Sequence, residues 1–281
     1  MMINSRVILA AILFSAWPMS GHSAVSGWVQ YKEEDKSMRS AGDQIFDMQP
    51  SEIEASKKAA LSGETDAAMR LGRFYLNMKK ESPDQGVRWL EIAYQNGSKD
   101  AMYLLGLNLF RSKNINSRLR GVYWLKRAST ECGEPDRMNS LNFIKLNQKS
   151  VSRLEKFMKY EPSFNKYFPE DEGFSIKPNR IKYFERAALA GAPGAAMHLG
   201  KFHLITKDPH SEIGVRWLEV AFENGSSEAM YALGSNLIDF EGDDARLRAI
   251  YWLRRAENES DESTEPFRSL ARSMLRAYNI E

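Results

Sequence analysis

The sequence predicts an all-α protein, built as a solenoid of antiparallel helix pairs that form two duplicated pairs of repeats. The first observation is a duplication: residues 59–128 align without a gap to residues 187–256, at a constant offset of 128 and with roughly half of the positions identical. The second is a shorter period inside each copy, because Leu71-Gly72 returns as Leu105-Gly106 thirty-four residues later. A fixed period of this kind is typical of repeat architectures, and it gives four units of about 35 residues.

Each unit is predicted to contain two helices. Ala67, Leu71 and Tyr75 recur at every fourth position and form one apolar stripe. Ser82-Pro83-Asp84 marks a turn and the start of a second helix. Asn96-Gly97 ends that helix with residues that tolerate the left-handed backbone conformation. Because such a pair cannot bury its apolar face alone, neighbouring units must stack on one another.

These residues resemble the Sel1-like repeat, a relative of the tetratricopeptide repeat. The resemblance is carried by Ala-x3-Leu-Gly-x2-Tyr at 67–75 and by Trp-Leu followed by Ala-x2-Asn-Gly at 89–97, and it covers about 53–130 and 181–258. It implies a right-handed superhelix whose first helices line a concave, protein-binding face. The second and fourth units lack the family's Gly-rich turn. Glycine stands where the family usually has alanine at Gly86 and Gly214. The family's tyrosine is replaced at Leu109, His203 and Leu237.

Residues 1–24 have the order of a secretory signal peptide. Arg6 supplies a basic start, an apolar run extends from Val7 to Trp17, and His22-Ser23-Ala24 offers small residues to a peptidase. The run is shorter than the roughly 20 residues that span a bilayer. We therefore expect cleavage after Ser23 or Ala24 and a periplasmic location in a Gram-negative bacterium; an uncleaved membrane anchor is the alternative. No second apolar run follows, so we expect no integral membrane segment in the mature chain.

The composition limits the classes of partner that the protein can bind and indicates where its stability comes from. Lysine and arginine (39) nearly balance aspartate and glutamate (37) and are interspersed with them, which argues against nucleic acid as a partner. Cys132 is the only cysteine, so an intramolecular disulfide cannot form and the core must supply the stability. A thiol that pairs with another chain remains open, but a buried small hydrophobe is the favoured interpretation of Cys132.

The predicted organisation has six parts. Their ranges are a signal peptide (1–24), an N-terminal segment (25–49), the first repeat pair (50–130), a connecting region (131–179), the second repeat pair (180–258) and a C-terminal capping helix (259–281). Ser51-x-x-Glu54 is the predicted capping box of the first helix. The connecting region is predicted to be a degenerate repeat or one or two helices followed by an ordered loop. Its expected apolar contacts are Leu141, Ile144, Leu154 and Phe157.

The sequence predicts no enzyme activity, no cofactor and no bound metal. His198 and His203 differ by five positions and do not share a helical face, so they do not form a zinc pair. Glu91 and Glu219 each follow an arginine at i, i+3. An acid–base role was weighed against surface ion bridges worth a few tenths of a kcal/mol, and the ion bridges are favoured. Motifs of serine hydrolases, phosphate loops and zinc proteases are absent.

Two sets of positions receive different roles. The repeat-conserving positions are predicted to be structural core: Gly72, Trp89, Gly106, Trp124, Gly200, Trp217, Gly234 and Trp252. Residues of the first helices that differ between the copies are candidates for the partner-binding concave face: Arg70, Arg73, Leu104, Leu107, Asn108, Arg111, His198, Lys201, Ser235, Asn236 and Asp239, with Ala232 at the position of Leu104. The alternative is that these are solvated helix faces without a partner.

Three functions follow as hypotheses. The leading one is a periplasmic, non-catalytic scaffold that binds another protein, as an immunity protein that neutralises a type VI secretion antibacterial effector such as a phospholipase, or as an envelope adaptor or regulator. The resemblance to exported relatives implies these roles. A cell-wall or β-lactam hydrolase is a less favoured alternative. A self-associating spacer is the third.

Overall fold

The computed structural model describes residues 48–77, 83–160, 176–259 and 264–280. The predicted signal peptide, nearly all of the N-terminal segment and the loop at 161–175 lie outside these residues. Every regular element within the described ranges is a helix. The thirteen helices are α1 (Pro50–Leu61), α2 (Thr65–Asn77), α3 (Pro83–Gln95), α4 (Ala101–Phe110), α5 (Ile115–Glu131), α6 (Asp136–Leu146), α7 (Gln148–Glu155), α8 (Pro178–Leu189), α9 (Pro193–Thr206), α10 (Glu212–Glu223), α11 (Glu228–Leu237), α12 (Asp243–Glu259) and α13 (Glu265–Ala277).

Consecutive helices pack as antiparallel pairs, which confirms the predicted helical solenoid. The closest pairs are α2 with α3, α4 with α5, α9 with α10 and α11 with α12, and they correspond to the four predicted units. The four repeat tryptophans are at most 2% exposed, as predicted for core positions. One extra helix precedes each pair of units (α1 and α8), two helices follow the first pair (α6 and α7), and one follows the second pair (α13).

Glycine in place of the family's alanine has a packing reason. A Cβ atom on Gly86 would lie 2.5 Å from Leu76 Cγ, and one on Gly214 would lie 2.5 Å from Leu204 Cγ. Real Cβ atoms do not approach other carbon atoms so closely. The two helices of the first and third units therefore pack closer together than an alanine at this position would allow.

The two halves of the chain pack against each other through their second helices. Contacts between the halves join α1 to α12, α3 to α10 and α5 to α8. At the offset of 128, α8, α10 and α12 are the counterparts of α1, α3 and α5, so the contact is isologous, like that of a two-fold symmetric dimer. The second helices of both halves form the inner layers, and the first helices form the outer layers. Stacking of units was predicted from the sequence, but this contact between halves was not.

The start of α1 differs from the prediction. The helix begins at Pro50, and the carboxylate of Glu52 accepts a hydrogen bond from the Gln49 backbone N–H at 2.8 Å. The predicted capping box from Ser51 to Glu54 is therefore wrong, and Glu54 pairs with Lys57 instead. Proline favours the first helical position because its φ is already helical and it has no N–H to satisfy, so the helix starts two residues earlier than the predicted capping box required.

The connecting region contains two helices, as predicted, but only part of its apolar surface is covered. Leu154 is buried and Ile144 packs against the same cluster. Leu141 and Phe157 are 44% and 47% exposed, so their predicted core contacts are wrong. Helix α13 packs on α12 as the predicted capping helix.

Cys132 is buried at the end of α5, as predicted. Its thiol donates to the Lys99 carbonyl oxygen at 3.1 Å. Burial raises the pKa of the Cys132 thiol to about 11, so the reactive thiolate is scarce at neutral pH. Of the helices in the described ranges, none has the length and apolar character that crossing a bilayer requires.

Candidate functional site

The centre of the contact between the halves is a ring of buried ion pairs. Arg88 Nη2 donates to Glu219 Oε1 at 2.6 Å, and its counterpart Arg216 donates through Nη2 to Glu91 Oε2 at 2.6 Å. A second bond from Arg216 Nη1 to Glu219 Oε2, 2.7 Å long, links the two bridges. The two predicted i, i+3 pairs are present, Arg88 with Glu91 at 3.5 Å and Arg216 with Glu219 at 2.7 Å. Their predicted surface location is wrong, because Glu91 and Glu219 are 8% and 1% exposed and also pair across the junction.

Two further arginines flank this ring. Arg120 donates to Glu223 Oε2 at 2.8 Å and to Asn224 Oδ1 at 2.7 Å. Its counterpart Arg248 donates to Gln95 Oε1 at 2.7 Å and to Asn96 Oδ1 at 2.8 Å. Gln95 Nε2 in turn donates to Glu223 Oε1 at 2.9 Å, where the two halves meet. A glutamine in the first copy thus faces a glutamate in the second.

The flanking arginines are also held by aromatic rings. Arg120 lies 4.1 Å from the Tyr123 ring centroid, and Arg248 lies 4.2 Å from that of Tyr251. Each tyrosine reaches across the junction: Tyr123 donates to the Glu223 carbonyl at 3.0 Å, and Tyr251 donates to the Gln95 carbonyl at 2.8 Å. These rings cover Gly191 and Gly63, whose φ angles of +111° and +113° favour glycine.

The junction favours the charged form of Glu219 despite its burial but acts against the charged forms of Glu223 and Arg248. Burial acts to raise the pKa of Glu219, but Arg88 and Arg216 outweigh it and hold that pKa below its ordinary value. At Glu223, burial together with Glu91 raises the pKa against the pull of Arg120. Burial lowers the pKa of Arg248 to about 10, since the group that Gln95 offers it is neutral. The carboxylates are therefore engaged in ion pairs, which weakens the case for acid–base catalysis by Glu91 or Glu219.

Two clefts flank the junction at equivalent places, and they differ in size. The cleft beside α5 has a volume of about 220 Å3, with Asp84, Asn116 and Ser117 in its lining. Its counterpart beside α12 measures about 10 Å3 and has acidic side chains, Glu212 and Asp244, at the positions of Asp84 and Asn116. Burial raises the pKa of both acids. The duplicated sites have therefore diverged.

The predicted binding residues of the first half lie on its outer side. Arg70 and Arg73 on α2 and Arg111 after α4 are exposed, and Leu104, Leu107 and Asn108 are half-buried. Arg70 lies 3.5 Å from Glu52, so α1 borders this surface. Asn108 turns its amide back to the Leu104 carbonyl at 2.8 Å. Their role in binding a partner remains a prediction.

The corresponding residues of the second half are engaged within the chain. His198 is 6% exposed and stacks on Phe184 of α8, with ring centroids 5.2 Å apart. Lys201 pairs with Glu228 at 2.9 Å. Ser235 and Asn236 both donate to the Ala232 carbonyl, and Asp239 accepts from the Tyr278 hydroxyl at 2.8 Å. Helix α8, which the sequence did not place here, covers part of this face.

The histidines do not gather into a site in the described residues. His203 packs edge-to-face on Phe202 with ring centroids 5.2 Å apart, and His210 packs on Phe240 at 5.3 Å. Burial, with a contribution from Lys207, lowers the pKa of His203. No group of three metal-ligating side chains occurs in the part of the chain that the structure describes.

The comparison with protein-family models identifies the repeats. The Sel1 repeat model matches residues 65–98, 99–131, 181–191 and 227–261. The chain is a Sel1-like repeat protein. In this Sel1-like protein the first two matches coincide with α2–α3 and α4–α5, and the fourth with α11–α12. The third match, residues 181–191, lies mostly on α8 and does not reach α9 and α10, although these two helices pair in the same way as α2 and α3.

Sel1 repeats indicate a protein-interaction scaffold, a class that is generally non-catalytic. No curated protein and no solved structure matches the Sel1-like protein. The junction residues Arg88, Arg120 and Tyr123 were missed by sequence reasoning as an interface. The signal that the sequence offers is their exact return as Arg216, Arg248 and Tyr251.

Proposed function

We propose that this Sel1-like protein is a periplasmic scaffold that binds another protein without catalysing a reaction, and that its partner is a type VI secretion antibacterial effector such as a phospholipase, which it neutralises. The observation that carries the proposal is the arrangement of the layers. The second helices of the units take part in the contact between the halves. The first helices of both halves therefore face outward. A rigid core with two unlike outer faces is suited to recognition by shape and charge.

The outer faces carry the side chains that recognition needs. Arg70, Arg73 and Arg111 supply exposed positive charge on the first half. The second half offers a less charged face, where Glu228 holds Lys201 in place and where His198 is buried against Phe184. Side chains fixed before binding lose little entropy when a partner arrives, which favours a tight complex. The signal-peptide pattern of residues 1–24 supports a location where such an effector would be met.

Affinity capture from the cell envelope tests the proposal. The purified chain is mildly crosslinked in an envelope extract, and the proteins that co-purify are identified. A single secreted toxin at equal stoichiometry supports immunity, and this toxin must lose its activity when one equivalent of the chain is added. A captured toxin that stays fully active contradicts the immunity role. Resident envelope proteins would instead assign the chain to an adaptor or regulator.

A charge-reversal variant places the partner on the outer face. Arg70→Glu combined with Arg73→Glu should weaken toxin binding, because both guanidinium groups are exposed on α2. Lys126→Glu is the matched control, since Lys126 is exposed on α5 and pairs with Glu155 far from that face. Equal loss with both variants would show that net charge, and not this surface, determines binding.

Export is tested separately. Mass spectrometry of the chain recovered from the periplasmic fraction should give an amino terminus at Ala24 or Val25. Recovery of the full-length chain in the membrane fraction would support the uncleaved anchor.

A further inference from the structure

One face of α5 is covered by a neighbouring helix in the first half, and the equivalent face of α12 is less covered in the second half. In the first half, α7 packs along α5, and Val151 and Leu154 join Leu119 and Val122 in one apolar cluster. Leu119 and Val122 are 2% and 0% exposed as a result. Their counterparts on α12 are Leu247 and Ile250, which are only partly buried. A surface that is covered in one half is therefore open in the other, as far as the described residues extend.

The open face on α12 is a groove, which we call the α12 groove. Its volume is about 430 Å3, about twice that of the larger junction cleft. Leu247, Ile250 and Tyr251 form an apolar floor, and Ile280 closes one end. Arg254, Arg255 and Glu259 also line the groove, and Arg255 is paired with Glu259. An apolar floor beside the basic side chain of Arg254 matches an apolar ligand that also carries negative charge.

Helix α7 shows which ligand chemistry this face accepts. Val151 and Leu154 are spaced i, i+3 and each is 3% exposed, so one stripe of the helix enters the apolar cluster. The next residue, Glu155, accepts a bond from Lys126 Nζ at 3.0 Å. Arg254 is the counterpart of Lys126, so the same basic position is kept on α12. The first half thus contains a template for the occupant of the second.

We propose that the α12 groove binds an amphipathic helix of the partner protein. Two aliphatic side chains spaced i, i+3 lie against Leu247 and Ile250, and an acidic side chain lies beside Arg254. An amphipathic helix in an apolar groove is a common mode of peptide recognition. This inference rests on the protein-binding function proposed above and specifies the chemistry of the partner.

A second copy of this chain is a poorer occupant. The segment that fits the face, α7, is already packed on α5 of its own half, with Val151 and Leu154 buried. A second copy would have to unpack this helix before offering it. A partner helix carries no such cost, so the partner is the favoured occupant.

The test uses the sequence of α7 as the probe. A labelled synthetic peptide of residues 147–160, stapled on its solvent side because short helices are marginal in water, is titrated with the full chain and followed by fluorescence anisotropy. We expect saturable 1:1 binding that Ile250→Asp weakens by about tenfold or more. Ile213→Asp is the matched control: Ile213 is also an isoleucine, is 49% exposed and lies outside the groove, so binding should not change.

Variants of the peptide test the same groove without changing the protein. Val151→Asp with Leu154→Asp in the peptide should abolish binding, and Glu155→Lys should weaken it. Circular dichroism of Ile250→Asp verifies that the chain stays folded. If that variant unfolds, the peptide variants alone test whether the α12 groove binds the helix.

Several outcomes would overturn the inference. One is no binding at millimolar peptide, and another is equal loss with Ile250→Asp and Ile213→Asp. Binding only after deletion of residues 1–47 would assign the groove to the chain's own segment. A dimer in sedimentation that Ile250→Asp dissociates would assign it to a second copy.

The inference and the proposed function can fail separately. A captured partner that still binds Ile250→Asp refutes the groove and leaves the scaffold function standing. A peptide that binds as expected, together with a capture that yields no partner, counts against the proposed function alone.

Discussion

Glu219 is the buried charged residue on which the contact between the two halves depends most. It accepts from Arg88 of the other half at 2.6 Å and from Arg216 of its own half at 2.7 Å, while only 1% exposed. Removing one member of a buried ion pair leaves its partner without compensation, which is far more costly than the pair's net contribution.

Glu219→Gln should therefore lower the free energy of unfolding by about 3–5 kcal/mol, as measured by urea denaturation at pH 7. The control is Glu131→Gln, because Glu131 is more than a third exposed and pairs with Arg127 at i, i+4. That change should cost at most about 1 kcal/mol. A loss below 1 kcal/mol for Glu219→Gln would show that water reaches the junction.

The stability difference between the wild type and Glu219→Gln should depend on pH. The folded pKa of Glu219 lies below its ordinary value of 4.5, since the two arginines outweigh burial. A lowered folded pKa stabilises the protein fully above the unfolded pKa, and this stabilisation is lost as pH falls through the folded pKa. The difference in the free energy of unfolding should thus be largest near pH 7 and should disappear as pH falls through the lowered folded pKa of Glu219. A difference that grows on acidification would contradict the assignment.

At the scale of residues, sequence reasoning identified the core and misjudged the charges. The tryptophans return at one repeat position, and a periodic aromatic residue must be buried. Arg88 and Glu91 also sit at i, i+3, a spacing that looks the same on a solvated helix and at a buried junction. Their burial depends on the other half, which no local pattern reports. For the same reason the predicted place of His198 on a partner-binding concave face does not allow for α8, whose Phe184 stacks on it.

Among the helices, α4 and α5 show how closely the elements pack. A Cβ atom on Gly121 of α5 would lie 2.4 Å from the Phe110 backbone nitrogen at the end of α4. Backbone atoms cannot move aside as a flexible side chain can. The counterpart of Gly121 in the second half is Ala249, so α11 and α12 accommodate a methyl group where α4 and α5 do not.

Gly121→Ala should lower the free energy of unfolding by about 1–3 kcal/mol, even though alanine favours helix formation more than glycine does. Gly133→Ala is the matched control, because nothing lies within 4 Å of a Cβ atom there. We expect the control to change stability by less than about 0.5 kcal/mol in thermal denaturation. Stabilisation by Gly121→Ala would mean that α4 and α5 can separate without loss.

At the scale of the helices the sequence predicts secondary structure well, because the signals that begin and end a helix are local. The existence and order of the helices from α2 to α5 follow from apolar spacing and from glycine or proline at their ends. What packs on each helix is a tertiary property. The exposure of Leu141 on α6 and the burial of Leu154 on α7 could not be separated, since both residues fit an apolar stripe.

The whole molecule is held together by contacts between unlike halves. Gln95 Nε2 donates to Glu223 Oε1 at 2.9 Å, where the pseudo-two-fold axis passes. Two second halves would place Glu223 against Glu223, and two first halves would leave Arg120 facing the neutral Gln95. Both like pairs are therefore less favourable electrostatically than the natural pair.

Residues 48–160 and 176–280, produced as separate chains, should associate 1:1 when mixed. Light scattering after size exclusion should show the mixed species in preference to either homodimer, and Arg88→Glu should weaken its formation. Lys126→Glu, outside the junction, should leave it unchanged. Homodimers as stable as the mixed species would contradict the role of Gln95 and Glu223. The sequence could not predict this association, because a gapless repeat carries no information about which surfaces of its two copies pack together.

The pseudo-two-fold arrangement also bears on how such a protein can change over generations. In a homodimer each substitution appears on both sides of the axis at once, so neither side can be altered alone. Fusion of two copies into one reading frame removes that constraint. Here one side has a cleft of about 220 Å3 and the other has one of about 10 Å3. A single inherited unit has thus become a molecule that can present two different recognition faces, each free to follow its own ligand.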